Sequence, residues 1–276
     1  MDYVSTTHEA PNHTAVHDRP VMTARLLGRF TIAIDGDVVD TQSSRRTRNI
    51  LAYLLTNRRL PVPRDVLMEV FWPNADEGAA RNSLHVTLTG ARNALSARCP
   101  EPILQRTFDA YGIADSVEVW VDVEEFEHRC RAGLQAELAG DLDRAVGCYE
   151  LASQLYDGDF LADDPYADWA APTRDTLQLL ATDVQSRLVD LYAQRGDHAA
   201  ALQLGRWLLA SDPCNEGVHR RLMYCFARTG RGHLALAQYQ RCSDALWHAF
   251  RVRPGPETRA LYERMRDSAT RLHRTA

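Results

Sequence analysis

The sequence predicts two domains of different class: an α/β winged helix-turn-helix domain, followed by an all-α tetratricopeptide-like helical-repeat domain. Three observations predict it. Up to about residue 120 the patterns run strand, strand, helix, helix, helix, hairpin, and beyond it only helical patterns follow. "LVDLYAQRGDHAAALQL" from Leu188 and "LMYCFARTGRGHLALAQ" from Leu222 are offset by 34 residues, the tetratricopeptide period. Leu188/Leu222, Ala193/Ala227, Gly196/Gly230 and Leu202/Leu236 fall in register. Charge divides at the same place: Ser44 to Arg106 carries ten Arg against five acidic residues, and Val121 to the end carries 19 against 23. The expected limits are a flexible tail at 1–23, the winged-helix domain at 24–120 and the helical domain at 121–276.

The elements follow in order. "RLLGRFTIAIDGDVVD" reads as two short strands about a tight turn at Asp35-Gly36. "SRRTRNILAYLLTNRR" puts Ile50, Leu51, Leu54 and Leu55 on one helical face behind a serine cap at Ser43 or Ser44, and Pro61 and Pro63 end it. "RDVLMEVFW" is a short second helix stopped by Pro73. In the third helix Ala80, Leu84, Leu88, Ala91 and Leu95 lie within an arc of about 80°. Asn74 with Glu77 makes a candidate capping box, with Asp76 as the rival cap. "ILQRTFDAYGIA" reads as a hairpin bending around Asp109 to Gly112. Helices are then expected at 122–139, 141–156, 172–195, 197–211, 215–229 and 231–248, and after "RPGPE". Stacked helix pairs of this kind suit protein binding better than chemistry.

The chemistry of the sequence excludes more than it offers. All 32 basic residues are arginine, so a phosphate loop ending in GK[ST], a kinase-type lysine and a Schiff base are ruled out. Six cysteines without a CxxC pair read as buried free thiols of a cytoplasmic protein. No apolar run is long enough for a membrane span, and the N-terminus has no signal-peptide pattern. The histidines show no metal-ligand spacing. "YDGDFLADDPYADW" lacks the alternating ligands of a calcium loop, and Pro165, Tyr166 and Trp169 make it a packed bridge between helices. No enzyme activity, metal or cofactor is expected.

The other face of the third helix points to DNA. Arg81, Arg92, His85, Ser96, Thr89, Asn82 and Asn93 follow one another over a sector of about 120°, and none is acidic. An ordinary solvated helix mixes glutamate into such a face for ion pairs. A helix fits the major groove, where Arg reads guanine and Asn reads adenine. Arg81, Asn82, His85, Thr89, Arg92 and Asn93 are the candidate readers. Arg45, Arg46 and Arg48 at the first helix, and Arg106 in the hairpin, are the candidate phosphate contacts.

On these motifs the chain resembles the Streptomyces antibiotic regulatory protein family of transcriptional activators, over about residues 25–267. The resemblance rests on "LLGRFTIAIDGDVV", "RRTRNILAYLL", "RDVLMEVFWPNAD" and "ARNSLHVTLTGARNAL", and in the second half on "VDVEEFE", "LYDGDFLADDPYADW", "SDPCNEGVHRRLMYCFARTGR" and "RPGPETRALYERM". It implies an OmpR-type winged helix joined to a bacterial transcriptional activator domain. It further implies binding to tandem direct repeats in double-stranded DNA as a head-to-tail dimer, recruitment of RNA polymerase holoenzyme, and control of a secondary-metabolite cluster from the cytoplasm and nucleoid. Residues 79–96 would be the recognition helix, with Arg81-Asn82 matching the family's "RN" near its start, and 103–113 the wing. Asp163, Asp164, Tyr166 and Trp169 match the second-domain signature. The hairpin "RTFDAYGIADS" departs from the family's proline-flanked Gly-Tyr segment, and the turn "HAFRVRPGPET" carries Arg253 where relatives carry Glu. A helical-repeat adaptor whose winged domain contacts only protein, and a repressor of the same architecture, stay open as alternatives.

Overall fold

Residues 19–40 and 44–274 are described in the computed structural model. The chain divides between Val121 and Asp122 into two units. In the first, Val21–Arg25 (β1) is the hub of a sheet, antiparallel to Thr31–Ile34 (β2) and parallel to Glu118–Val121 (β7). Asp37–Val38 (β3) extends the sheet on the far side of β2. The turn at Asp35-Gly36 takes positive φ at both residues, as a two-residue hairpin requires. The Asp35 carboxylate also accepts from the Val21 N–H at 2.9 Å. The expected tail is therefore corrected at its end. Val21, Met22 and Thr23 are strand, because β2 and β7 both pair with them and Met22 is buried. Residues 1–18 lie outside the described ones, as does Ser43.

Three helices follow. Arg45–Thr56 (α1) is capped by Ser44, whose Oγ accepts from the Thr47 N–H, and buries Ile50, Leu51, Leu54 and Leu55 as its periodicity predicts. Val62–Pro63 (β4) leads into Arg64–Phe71 (α2). Glu77–Ser96 (α3) starts at Asp76, whose carboxylate accepts from the Ala79 N–H at 2.9 Å, so the rival cap holds and the Asn74 box does not form. Its five stripe residues are all buried.

Leu104–Thr107 (β5) and Ala110–Ile113 (β6) form the hairpin and join β4 in a second sheet of order β4-β6-β5. The turn sits at Phe108-Asp109, ahead of the expected bend over 109–112. Thr107 pairs directly with Ala110, and Phe108 takes φ +54° to close the two-residue loop.

The second unit is helical apart from its loops: Asp122–Leu138 (α4), Leu142–Leu155 (α5), Ala171–Gln194 (α6), His198–Ser211 (α7), Glu216–Arg228 (α8), Gly232–Phe250 (α9) and Pro256–Arg274 (α10). The pairs α4/α5, α6/α7 and α8/α9 share one turn. Gly140, Gly196 and Gly230 adopt positive φ, and the next residue's N–H reaches five residues back, to Ala136, Tyr192 and Phe226. Close approach within a pair and between successive pairs needs a missing side chain. A Cβ on Gly133 would collide with the Tyr149 ring, and one on Gly205 would lie 2.6 Å from Leu222. The registers predicted at offset 34 thus mark real structural repeats.

The loop before α6 is held from inside. Arg174 donates to the carbonyls of Phe160, Pro165 and Asp164, and Trp169 packs edge-on against Phe160. Tyr166 differs from the expected packed bridge. It is 84% exposed, because the loop's buried interior is filled by Phe160, Leu161 and Ala170 instead. All six cysteines are free; four are buried, but Cys148 and Cys214 are half-buried. Burial pushes the Cys130 and Cys242 thiols up to about 12.

Candidate nucleic-acid interface

The clean apolar stripe of α3 fixes which way its other side faces. With Leu84, Leu88 and Leu95 buried, Arg81, Asn82, His85, Thr89, Asn93 and Ser96 are exposed, and Arg92 is half-buried. Six side chains with polar heads thus share one outward sector, with the half-buried Arg92 between Arg81 and His85.

Local bonds decide how each is presented. Arg81 pairs with Glu77 one turn back, and both side chains remain more than half exposed. Thr89 donates its hydroxyl to the His85 carbonyl at 2.8 Å, which turns its methyl group and its remaining lone pair outward. Arg92 lies 6.0 Å from the Tyr111 ring centre, and Arg106 of the hairpin lies at the same distance from that ring. Tyr111 thus sits between a helix arginine and a hairpin arginine; the ring aims Arg92 without cancelling its charge, whereas Arg106 is also paired with Asp109. Arg64, Arg81, Asn82, His85, Arg106 and Tyr111 line a cleft of about 400 Å³ between α3 and the hairpin.

The expected phosphate contacts divide. Arg45 and Arg46 are exposed at the start of α1, and Arg48 is half-buried. Arg46 stacks over Trp72 at 5.6 Å. Trp72 is buried, and its indole N–H has no acceptor among the described residues. Arg106 is more engaged than its sequence position suggests. Its Nε donates to the Phe108 carbonyl at 2.7 Å and a terminal nitrogen to Asp109 at 2.8 Å. Arg64 joins this group through Asp109, and its hydrogen bond to Asp65 raises its already high pKa.

Four residues escaped the sequence reading. Val86 is 62% exposed and lies about 20° beyond Asn93 on the helical wheel, so an apolar group borders the polar sector. Tyr111 and Arg64 each touch or flank a candidate reader, and Trp72 touches the candidate phosphate contact Arg46. Only Val86 carried a signal in the sequence, as an apolar residue far outside the buried stripe. Among the described residues no group of three or more His, Cys, Asp or Glu is placed to hold a metal ion, and no helix is long and apolar enough to cross a membrane.

Comparisons with known proteins bear on the family and the fold. The family model for the bacterial transcriptional activator domain matches residues 121–266. The transcriptional regulatory protein EmbR of Mycobacterium tuberculosis is 25% identical over 241 residues, covering 87% of this chain and 62% of EmbR. The chain thus spans less than two thirds of that relative. The regulatory protein DnrI of Streptomyces peucetius is 26% identical, over 84% of this chain and 88% of its own. A solved structure of Mycobacterium tuberculosis EmbR in complex with a low-affinity phosphopeptide superposes with a TM-score of 0.78 at 24% identity, covering 90% of this chain and 66% of that one. That likeness establishes the fold: a winged-helix region followed by a helical-repeat domain. The relatives are named as regulatory proteins, not as enzymes.

Proposed function

The chain belongs to the Streptomyces antibiotic regulatory protein family, marked by its bacterial transcriptional activator domain, and from that premise we propose that it regulates transcription by laying α3 in the DNA major groove. The observation that carries this reading is the exposed polar sector of α3, which contains no carboxylate. Arg81, Asn82, His85, Thr89, Arg92 and Asn93 face base edges, and Val86 is suited to a thymine methyl. Arg45, Arg46 and Arg48 face phosphates, and Arg106 keeps fewer donors for that task. In this reading the DNA-binding domain starts at Val21 and ends at Val121, and the activator domain follows it in the sequence.

The finer function follows the family. Two protomers bind tandem direct repeats head to tail, contact RNA polymerase holoenzyme, and activate a secondary-metabolite gene cluster from the nucleoid. Duplexes selected by the full chain from source-genome fragments are the test, titrated with wild type and with Arg92→Ala at fixed salt. We expect Arg92→Ala to lose about 1–3 kcal/mol and to change preference at one base position. Equal affinity of the two proteins would remove Arg92 from the reading set. A folded wild type that retains no duplex at micromolar concentration would favour the protein-contact adaptor. A reporter driven by the selected site separates activator from repressor.

A further inference from the structure

Phe108 at the tip of the β5–β6 hairpin is 94% exposed, the most exposed of the large apolar side chains described. It also holds φ at +54°, a left-handed conformation that disfavours any residue with a Cβ. Glycine or asparagine would relieve the backbone and remove apolar surface from water together. Nothing in the packing of the fold calls for phenylalanine there.

The tip is nevertheless built with care. Arg106 Nε donates to the Phe108 carbonyl at 2.7 Å, and the Arg64 backbone N–H donates to the Asp109 carbonyl at 2.7 Å. The Asp109 carboxylate takes Arg106 at 2.8 Å and Arg64 at 3.5 Å. Four bonds converge on a two-residue turn and tie it to the start of α2. A loose surface loop has no need of them, whereas a side chain that must enter a partner without rearranging does. The same bonds match the Asp109 charge with two arginines, so a polyanion can approach the tip. The arginine-lined cleft runs from the hairpin to the reading sector of α3.

Resting on the reading of α3 as the DNA-contacting helix, we propose that Phe108 is an apolar wedge. It enters the minor groove beside the site held by α3 and unstacks one base step. Phenylalanine wedges kink duplexes in this way, and the cost of unstacking is lowest at flexible pyrimidine–purine steps. The hairpin would therefore select sequence at a position where it makes no hydrogen bond to a base.

The test uses the full chain and a duplex selected by wild type from a random-sequence pool, with 2-aminopurine placed at each step in turn. Wild type should raise the fluorescence at one step outside the α3 contacts. Phe108→Asn, which tolerates the backbone angle, should abolish that rise and weaken binding about tenfold. The slope of affinity against salt should stay the same, because no phosphate contact is lost. Phe108→Trp should keep the rise. Thermal unfolding of Phe108→Asn at or above the wild-type midpoint confirms that the fold is intact. A Phe108→Asn protein that binds as tightly as wild type and still raises the signal overturns the wedge, as does a wild type that binds yet unstacks no step. An effect seen only in transcription with polymerase present assigns Phe108 to protein contact and overturns it too. If wild type selects no duplex at all, the reading of α3 falls as well, which separates the two failures.

Discussion

Arg46 and Arg92, around α3, keep different company from the carboxylate-paired arginines of the helical unit. In the helical unit Arg187 reaches Asp183 and Glu137, Arg195 reaches Asp143, Arg220 reaches Glu257, and Arg221 reaches Asp190. Around α3, Arg46 lies over Trp72 and Arg92 over Tyr111. A carboxylate neutralises the cation it orients, whereas a ring orients it and leaves its charge available to a phosphate or a guanine. Histidine divides in the same way. His85 is exposed on the α3 face, and His219 is buried in the helical unit with both ring nitrogens engaged. The difference is one of degree: Arg206, Arg231 and Arg251 of the helical unit also lie over rings, and Arg64, Arg81 and Arg106 around α3 are also paired with carboxylates, so Arg46, Arg92 and His85 are the groups that the first unit leaves for a partner.

The largest expected effect comes from cutting the scaffold where its polar groups are most fully used. Glu216 at the start of α8 accepts from the Gly255 N–H at 2.9 Å and from the Thr258 hydroxyl at 2.6 Å, and Thr258 is fully buried. It caps α10 from another helix, satisfying the Gly255 N–H just before the helix starts and the buried Thr258 hydroxyl in its first turn. Glu216→Ala should cost about 2–3 kcal/mol, read as a lower urea midpoint of the helical unit, because both donors lose a charged acceptor. DNA affinity per folded molecule should not change. A midpoint equal to wild type would mean that α10 is anchored by its apolar face alone, and the contrast between the two regions would weaken.

The buried histidine gives a second, smaller effect with a defined sign. Its Nε2 lies 3.0 Å from the Pro213 carbonyl, which can only accept, so Nε2 carries the proton and Nδ1 accepts from Gln238. Burial then lowers the His219 pKa below the ordinary 6.5. A depressed folded pKa contributes stability that is fully present above the unfolded value. That stability is lost as pH falls below 6.5 toward the folded one. Urea midpoints taken from about pH 7.5 down to about pH 5 should decline in wild type and flatten in His219→Gln. A wild-type profile as flat as the variant's would show that His219 takes up its proton as readily in the folded state as in the unfolded one, so that burial does not hold it neutral.

What was legible in the sequence tracks how local its cause is. The stripe of α3, the Asp35-Gly36 turn and the offset of 34 residues are each set within a turn or a repeat, and each is present in the structure. The start of β1 reads as tail in the sequence because its pairing with Glu118–Val121 joins opposite ends of the unit, and no nearby pattern announces it. The Glu216 cap on α10 is hidden for the same reason. In the candidate site, the polar sector was readable from a single helical wheel. The aiming of Arg92 by Tyr111, and the engagement of Arg106 at the hairpin tip, depended on where the turn fell. Misplacing that turn by about one residue concealed both Phe108 and the clamp around it.

The smallest expected effect tests the one carboxylate within α3 itself. Glu77 pairs with Arg81, and both are largely exposed. Glu77→Gln should therefore change stability by about 0.5 kcal/mol or less, since Asp76 still caps the helix. If the sector reads DNA, the same change releases Arg81 and removes a negative charge beside the groove, and affinity should rise by about two- to threefold at low salt. The salt dependence then locates Arg81. A slope steeper by about one unit places its guanidinium on a phosphate, whereas an unchanged slope with altered base preference places it on a base edge. An affinity that does not move would put Arg81 in the company of the scaffold arginines, paired and used up.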